Sequence, residues 1–238
     1  MRTGGCVRTV DTMQVSDAQS TRPSPSGAWA RVFSLVYDPF LWLGERTAVG
    51  AIRTELLGQA RGRTVEIGAG TGLNLRYYPE AVDELTLTEP DPAMRARLDR
   101  RARRSGRSPE VVDAPAERLP FADGSVDTVV STFVLCTVEA PDVALREIAR
   151  VLRPDGQLLF VEHVRSDSPR LASWQDRLSR PWYRFARGCR CNTATGMLMR
   201  ASGFEPHGVR ETSWRGMPPI VRPLISGRAR LETVSGRG

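Results

Sequence analysis

The stretch Val65-Glu66-Ile67-Gly68-Ala69-Gly70-Thr71-Gly72-Leu73 decides how the rest of the chain is read. Arg63 to Ile67 reads as a short buried strand, a basic entry followed by β-branched residues. Three glycines then recur at every second position. Glycine there lets the backbone turn sharply with φ > 0 and brings its N–H groups close to a ligand. Leu73 to Tyr78 reads as the helix that follows. Strand, glycine turn and helix make the first half of a nucleotide-binding βαβ unit. Taken alone, the motif also fits a glycine-rich loop that holds no ligand.

The spacing separates two kinds of ligand. A dinucleotide fingerprint needs Gly or Ala where this chain has Leu73, because that residue packs helix on strand. What stands here is Glu66-x-Gly68-x-Gly70-x-Gly72. An acid at the strand end repels a pyrophosphate and suits a cationic group. The pattern resembles the first motif of class I S-adenosylmethionine (SAM) methyltransferases.

The 238 residues suffice for one α/β domain with a full core plus tails. We divide them into a disordered tail at 1–27, a domain at 28–225 and a polar tail from 226 to 238. Met13 offers an alternative start. The four cysteines are unevenly placed and make no disulfide framework, and Cys189-x-Cys191 lacks the spacing of a zinc knuckle. No metal-ligand cluster is expected. This usage suits a reducing cytoplasm. No apolar run approaches the roughly 18 residues of a spanning helix, and the N-terminus lacks the apolar core of a signal peptide.

The net charge of +7 suggests nucleic acid, yet all 34 basic residues are arginine, which points to codon usage across the whole sequence. The absence of lysine excludes a Walker lysine, a pyridoxal Schiff base and a kinase β3 lysine.

Before the first strand, Ala28 to Leu43 is an amphipathic helix interrupted at Pro39, with Trp29, Val32, Phe33, Val36, Tyr37, Phe40 and Leu41 at helical spacing. Glu45 to Ala60 reads as a second helix. The pair is expected to form a lid with Tyr37 touching the ligand, or else to pack on the sheet edge. Leu85 to Glu89 reads as a strand ending in an acid 19 positions beyond Gly70. Glu89 is placed to accept both hydroxyls of a ribose, with Pro90 beside it. A strand-capping acid without a ligand is the alternative. Asp91-Pro92 caps a helix to about Arg104 whose arginines cover too many faces for a nucleic-acid stripe.

Val111 to Ala114 is a third strand; Asp113 there accepts from an adenine amine or is an ordinary loop residue. Asp123-Gly124 turns into a buried fourth strand, Val126 to Val130, and Ala140 to Leu152 is a helix. Gln157 to Val164 is the fifth strand, ending in Glu162-His163. Ligands in open α/β sheets sit beyond the carboxyl ends of strands, so Ser131 to Val138 is where cofactor and acceptor should meet. Leu171 to Phe185 and Asn192 to Ala201 read as helices, the second capped by Thr193. Gly203 to Glu211 and Met217 to Leu224 close the sheet as an antiparallel pair.

Three ordered motifs carry a broad resemblance over residues 29 to 225: the glycine motif, Leu119-Pro-Phe-Ala-Asp-Gly-Ser-Val-Asp127 and Leu152-Arg-Pro-Asp-Gly156. They resemble the quinone-methyltransferase-like group of class I SAM methyltransferases. Thr132-x-Val134-Leu135-Cys136-x-Val138, Glu162-His163-Val164 and Gly188-Cys-x-Cys-Asn192 resemble a narrower branch, the methyltransferase-like thiol S-methyltransferases of animals and related bacterial proteins, some acting on phospholipid amines. The animal members carry an apolar N-terminal anchor unlike the polar residues here, and Ala69 stands where Cys is usual.

The resemblance implies an α/β, Rossmann-like seven-stranded sheet, mostly parallel with an antiparallel last strand and helices on both faces. It implies SAM as cofactor, bound by Tyr37, Glu66, Gly68, Ala69, Gly70, Gly72, Glu89, Pro90, Asp113, Ala114, Thr132 and Phe133. The acceptor pocket is expected from Val134, Cys136, Glu162, His163, Trp174, Trp182 and Tyr183, with His163 as base or orienter. Cys136 reads as a small buried hydrophobe, and His207 as a surface residue.

The favoured acceptor is a small apolar thiol. The alternatives are O-, C- or N-methylation of a quinone precursor, natural product or phospholipid amine. From other classes, a basic RNA-binding protein and a non-catalytic SAM-binding module remain open. The expected partners are a small molecule and at most a second copy of the chain, with no nucleic acid and no integral membrane association.

Overall fold

The computed structural model describes Val32, Leu35 and residues 49–232. The tail at 1–27, the helix at 28–43 with Tyr37 and the lid they were expected to form lie outside the described residues. Val32 and Leu35 have helical backbone and are exposed. Of the second upstream helix, α1 is Gly50–Leu57, with Arg53, Leu56 and Leu57 buried.

The sheet has seven strands: β1 (Gly62–Ile67), β2 (Val82–Thr88), β3 (Glu110–Val112), β4 (Val126–Thr132), β5 (Leu152–His163), β6 (Phe204–Ser213) and β7 (Pro223–Leu231). Their order is β3-β2-β1-β4-β5-β7-β6. The first five run parallel, and β7 lies antiparallel between β5 and β6. This is the expected Rossmann-like sheet. The helices α2 (Pro92–Ala102), α3 (Pro141–Val151), α4 (Pro169–Phe185) and α5 (Thr195–Ala201) complete the chain. Val129, Leu158 and Phe160 pack with Leu145 and Ile148 in one apolar cluster, while Val130, Leu159 and Val161 pack with Leu57, Trp214 and Val221 in another. Adjacent strand residues point to opposite faces, so each strand feeds both clusters. Among the described residues no helix is long and apolar enough to cross a membrane.

Several boundaries differ from the sequence reading. The segment after the glycine turn is a 3-10 helix of five residues, Leu73–Tyr77, instead of an α-helix. Tyr78 is extended with ψ of 131°, as the residue before a proline prefers, and this stops the helix short. Asp91 does cap α2, accepting from the N–H groups of Ala93 and Met94. Thr193 does not cap α5; its hydroxyl donates to the Arg190 carbonyl, and the helix starts at Thr195.

The last strand is displaced most. Met217 to Leu224 was read as a strand, but Pro219–Val221 forms a 3-10 turn and β7 runs from Pro223 to Leu231. The stretch from Ser226 is therefore interior sheet, beyond the boundary drawn at 225. Ser226-Gly227 looks like tail by composition, yet a Cβ on Gly227 would lie 3.3 Å from Phe160. Small residues let the ring of the neighbouring strand lie close to this backbone.

Gln175, fully buried on α4, ties this edge together. Its amide N–H groups donate to the carbonyls of Val164, Cys191 and Ile220, and its oxygen accepts from Ser166 N–H.

Candidate active site

The carboxyl ends of β1, β2, β4 and β5 meet where the strand order reverses, between β1 and β4. Open α/β sheets bind ligands at such a switch point. The glycine turn follows β1, Glu89 follows β2, Phe133 follows β4, and Glu162-His163 end β5.

The turn is held before any ligand arrives. Gly68, Gly70 and Gly72 have φ of 54°, 59° and 82°. A Cβ on Gly68 would come 2.8 Å from Val134 Cγ2, so the loop after β4 packs directly on the turn. Among the described residues, a Cβ on Gly70 would meet only the Gly68 carbonyl, at 4.0 Å. Ala69 N–H donates to the Thr88 carbonyl, Gly70 N–H to Glu89 Oε2 at 2.8 Å, and Gly72 N–H to the Ala69 carbonyl. Arg101 on α2 adds a bond to the Thr71 carbonyl.

Glu89 Oε1 accepts from Asp91 N–H at 2.8 Å. Each carboxylate oxygen thus keeps a second acceptor site free for a hydroxyl. Burial pushes its pKa up, while the two N–H bonds and the Arg187 charge pull the other way. Arg187, on the loop after α4, forms an ion pair with Asp91. Pro90 between them is half-buried. Asp113, expected to meet an adenine amine, is exposed, and its Oδ2 pairs with Arg95 at 2.8 Å. Arg95 also donates to the Glu89 carbonyl. Ala114 is buried beside Asp113.

Glu66 is 3% exposed. Its Oε2 accepts from the Tyr78 hydroxyl at 2.6 Å and its Oε1 from Asn74 Nδ2 at 2.9 Å. Asn74 also donates to Thr132 Oγ1 at 3.1 Å, and its carbonyl oxygen accepts from Arg53. Burial raises the Glu66 pKa to about 7 against these bonds and the Arg53 charge. The acid read as the partner of a cation is thus bonded to Tyr78 and Asn74. Sequence reasoning missed Arg53, Asn74 and Tyr78. Their signal was weak: Arg53 inside the first helix, Asn74 inside the short 3-10 helix and Tyr78 just after it.

The loop after β4 hangs on Glu162. This fully buried carboxylate accepts from Ser131 Oγ at 2.7 Å, from Val134 and Leu135 N–H at 3.1 Å each, and from Cys136 N–H at 3.4 Å. Burial raises its pKa and these donors oppose the shift. It fastens the loop from inside. Phe133 at the loop's start has φ of 60°, an uncommon conformation for a bulky residue. The ring stacks on His163 at 4.8 Å and Trp214 at 4.7 Å between centroids. Such strain persists only where the surroundings over-determine it. Trp214, 1% exposed, was not singled out in the sequence.

His163 is 6% exposed, and among the described residues its Nδ1 has no hydrogen-bond partner. Burial lowers its pKa to about 4, opposed by a bond to the Val221 backbone. It is therefore a neutral imidazole and a weaker base than the free side chain. His207 is half-buried, 3.7 Å from Glu205.

The expected acceptor pocket is not assembled from all its residues. Val134 and Cys136 are buried in the loop. Trp174 is 54% exposed, and Tyr183 is also exposed, on α4. Trp182 alone of the three rings lines an apolar depression of about 260 Å³, with Leu178, Pro181, Phe185 and Ile220. Ile220 neighbours Val221, whose backbone lies beside His163.

The Methyltransferase domain family matches residues 65–160, which span β1 to β5. The human thiol S-methyltransferase TMT1B is 36% identical over 193 residues, covering 74% of this chain and 77% of TMT1B. The chain belongs to the SAM-dependent methyltransferases. Human thiol S-methyltransferase TMT1A is 34% identical over 173 residues, 69% of each chain. Among solved structures, a SAM-dependent methyltransferase from Thermotoga maritima superimposes with a TM-score of 0.64 at 22% identity, covering 86% of this chain and 99% of that one. That likeness concerns the fold. As in other SAM-dependent methyltransferases, the methyl donor is SAM. The residues present fit it: a glycine cradle at Gly70, and below it an acid with spare acceptor sites on both oxygens.

Proposed function

We propose that this enzyme methylates the sulfur of a small, apolar thiol. SAM, when bound, supplies a methyl carbon made electrophilic by its sulfonium. The protein's part is to align the nucleophile with that carbon and exclude water. In this reading Gly68, Ala69, Gly70 and Gly72 cradle the cofactor, Glu89 and Pro90 hold its ribose side, and Ala114, Thr132 and Phe133 border it.

The observation that carries the proposal is the state of the ionisable groups at this edge. His163 is held near pKa 4, and Glu66 and Glu162 are committed to internal donors. Of these three described groups, none is both free and basic enough to deprotonate an alcohol or an ammonium. A thiol has an ordinary pKa near 8.5, so it supplies thiolate without a strong base. The apolar depression beside Ile220 and the buried wall of Val134 and Leu135 favour an uncharged body on that thiol. The identity with two thiol S-methyltransferases supports the same acceptor.

The test is a panel of aryl and alkyl thiols, phenols, a quinol and an amine lipid, each incubated with labelled SAM and purified enzyme. Thiols should turn over fastest. Turnover of a phenol, quinol or amine lipid with no turnover of thiols would end this reading.

A further inference from the structure

Among the described residues three cysteines are free and buried, Cys136, Cys189 and Cys191. Cys136 Sγ and Cys189 Sγ are 3.9 Å apart, both buried and both free. The backbone around them is already joined. Arg190 N–H donates to the Cys136 carbonyl at 2.7 Å, and a Cβ on Gly188 would lie 3.0 Å from the Thr137 carbonyl. Disulfides need neighbouring backbones and an S–S distance of about 2.05 Å, which side-chain rotation supplies once the main chains are this close. Among the described residues no three His, Cys, Asp or Glu side chains converge as a metal would need.

We propose that Cys136 and Cys189 form a redox-sensitive pair, and that their oxidation to a disulfide weakens cofactor binding. The co-reactant is a peroxide. The Cys189 sulfur, as thiolate, attacks one peroxide oxygen. The O–O bond breaks, leaving a sulfenic acid and a hydroxide that takes up the thiol's proton. The Cys136 sulfur then attacks the sulfenic sulfur, the S–S bond forms, the S–O bond breaks, and the hydroxyl leaves with the Cys136 proton as water. Two thiols are oxidised and one peroxide is reduced to two waters. Cys189 is the better first nucleophile. Hydrogen bonding from the Cys136 thiol favours its thiolate, whereas Cys136 is pushed well up by the same contact and by burial. Cys189 is also the more exposed of the two, at 6% against 1%.

The link to the cofactor runs through both loops. Cys136 N–H, with those of Val134 and Leu135, hangs on Glu162, and Val134 packs on Gly68. Cys189 is two residues from Arg187, which grips Asp91 beside Glu89. Drawing the sulfurs together moves segments that hold the glycine turn on one side and the acid after β2 on the other.

The test treats the full chain with hydrogen peroxide, maps cross-linked peptides by mass spectrometry, and measures SAM affinity before and after reduction. We expect a Cys136–Cys189 cross-link and SAM binding weaker by about tenfold, restored by dithiothreitol. Cys136→Ser and Cys189→Ser should each resist the loss, and Cys191→Ser should retain it. A cross-link between other cysteines, no cross-link, or a full cross-link with unchanged affinity overturns the proposal. If either serine variant fails to fold, the wild-type cross-link map and affinity still decide. No acceptor is used, so the outcome is independent of the thiol-methylation reading.

Discussion

Val134 occupies the space that a Cβ on Gly68 would need, its Cγ2 lying 2.8 Å from that position. The turn after β1 and the loop after β4 are therefore interlocked. Gly68→Ala meets two costs: φ of 54°, which disfavours an L side chain by about 1–2 kcal/mol, and the collision itself. Overpacking of this kind typically costs about 1–3 kcal/mol. Gly68→Ala is expected to lower the unfolding free energy in urea and to weaken SAM binding. Adding Val134→Ala should relieve the collision and leave the backbone cost. No recovery in the double variant would show that the packing contact is not what excludes a side chain.

Glu89 connects the turn to the cap of α2 through the N–H groups of Gly70 and Asp91. Glu89→Ala strands both donors and, if Glu89 holds the ribose as proposed, removes that acceptor. Losing a bond to a charged partner costs about 1–3 kcal/mol, so calorimetry should record SAM affinity weakened by that order. Glu89→Gln keeps one acceptor oxygen and should fall between wild type and alanine. An alanine variant with wild-type affinity would remove Glu89 from the cofactor site.

His163, with its pKa near 4, remains neutral from about pH 5 upward. If thiols are the acceptors, its titration contributes no limb to the rate near neutrality. The rate should rise with the thiolate fraction of the acceptor, so an aryl thiol should reach its plateau at lower pH than an alkyl thiol. His163→Gln is expected to lower kcat by disturbing the stack with Phe133 and Trp214 while leaving each limb in place. One limb shared by both thiols, and lost in His163→Gln, would make His163 the base.

Glu66 gives the stability of the fold its own pH dependence. Its folded pKa, about 7, stands above the ordinary value of 4.5, so the native state binds this proton more tightly than the unfolded chain does. The contribution is fully present below pH 4.5 and is lost as pH rises through about 7. The full difference is about 3 kcal/mol by linkage. Glu66→Gln keeps a neutral side chain at all pH. The variant should therefore gain relative to wild type between pH 5 and about 7.5 when both are unfolded in urea without cofactor. A difference that stays constant across that window would mean that Glu66 is ionised throughout.

Much of the site's outline was legible in short stretches. The spacing of Gly68, Gly70 and Gly72, the acid at Glu89 and the Asp91-Pro92 cap depend on neighbours a few residues away, and their local geometry follows the sequence reading. The family resemblance likewise implied the seven-stranded sheet, in which β7 lies antiparallel. Composition misled where packing overrode propensity. Ser226-Gly227 reads as tail, but pairs with β5 as interior strand, Gly227 standing opposite Phe160. Leu73 onward reads as an α-helix, but is cut short by the extended Tyr78 before Pro79.

The residue types, their spacing and the family were determined by the sequence by itself, because turns, caps and alternation are written within a few positions. What each acid does was decided only by the tertiary structure. Glu66 meets Tyr78 and Asn74 directly and lies in the field of Arg53, from an earlier helix; Glu162 meets four donors, the Ser131 hydroxyl in β4 and three N–H groups of the loop after it; His163 loses its basicity by burial, against Phe133 and Trp214. Carboxylate and imidazole protonation depend on burial and on partners that arrive from distant parts of the chain. No local pattern encodes those distances.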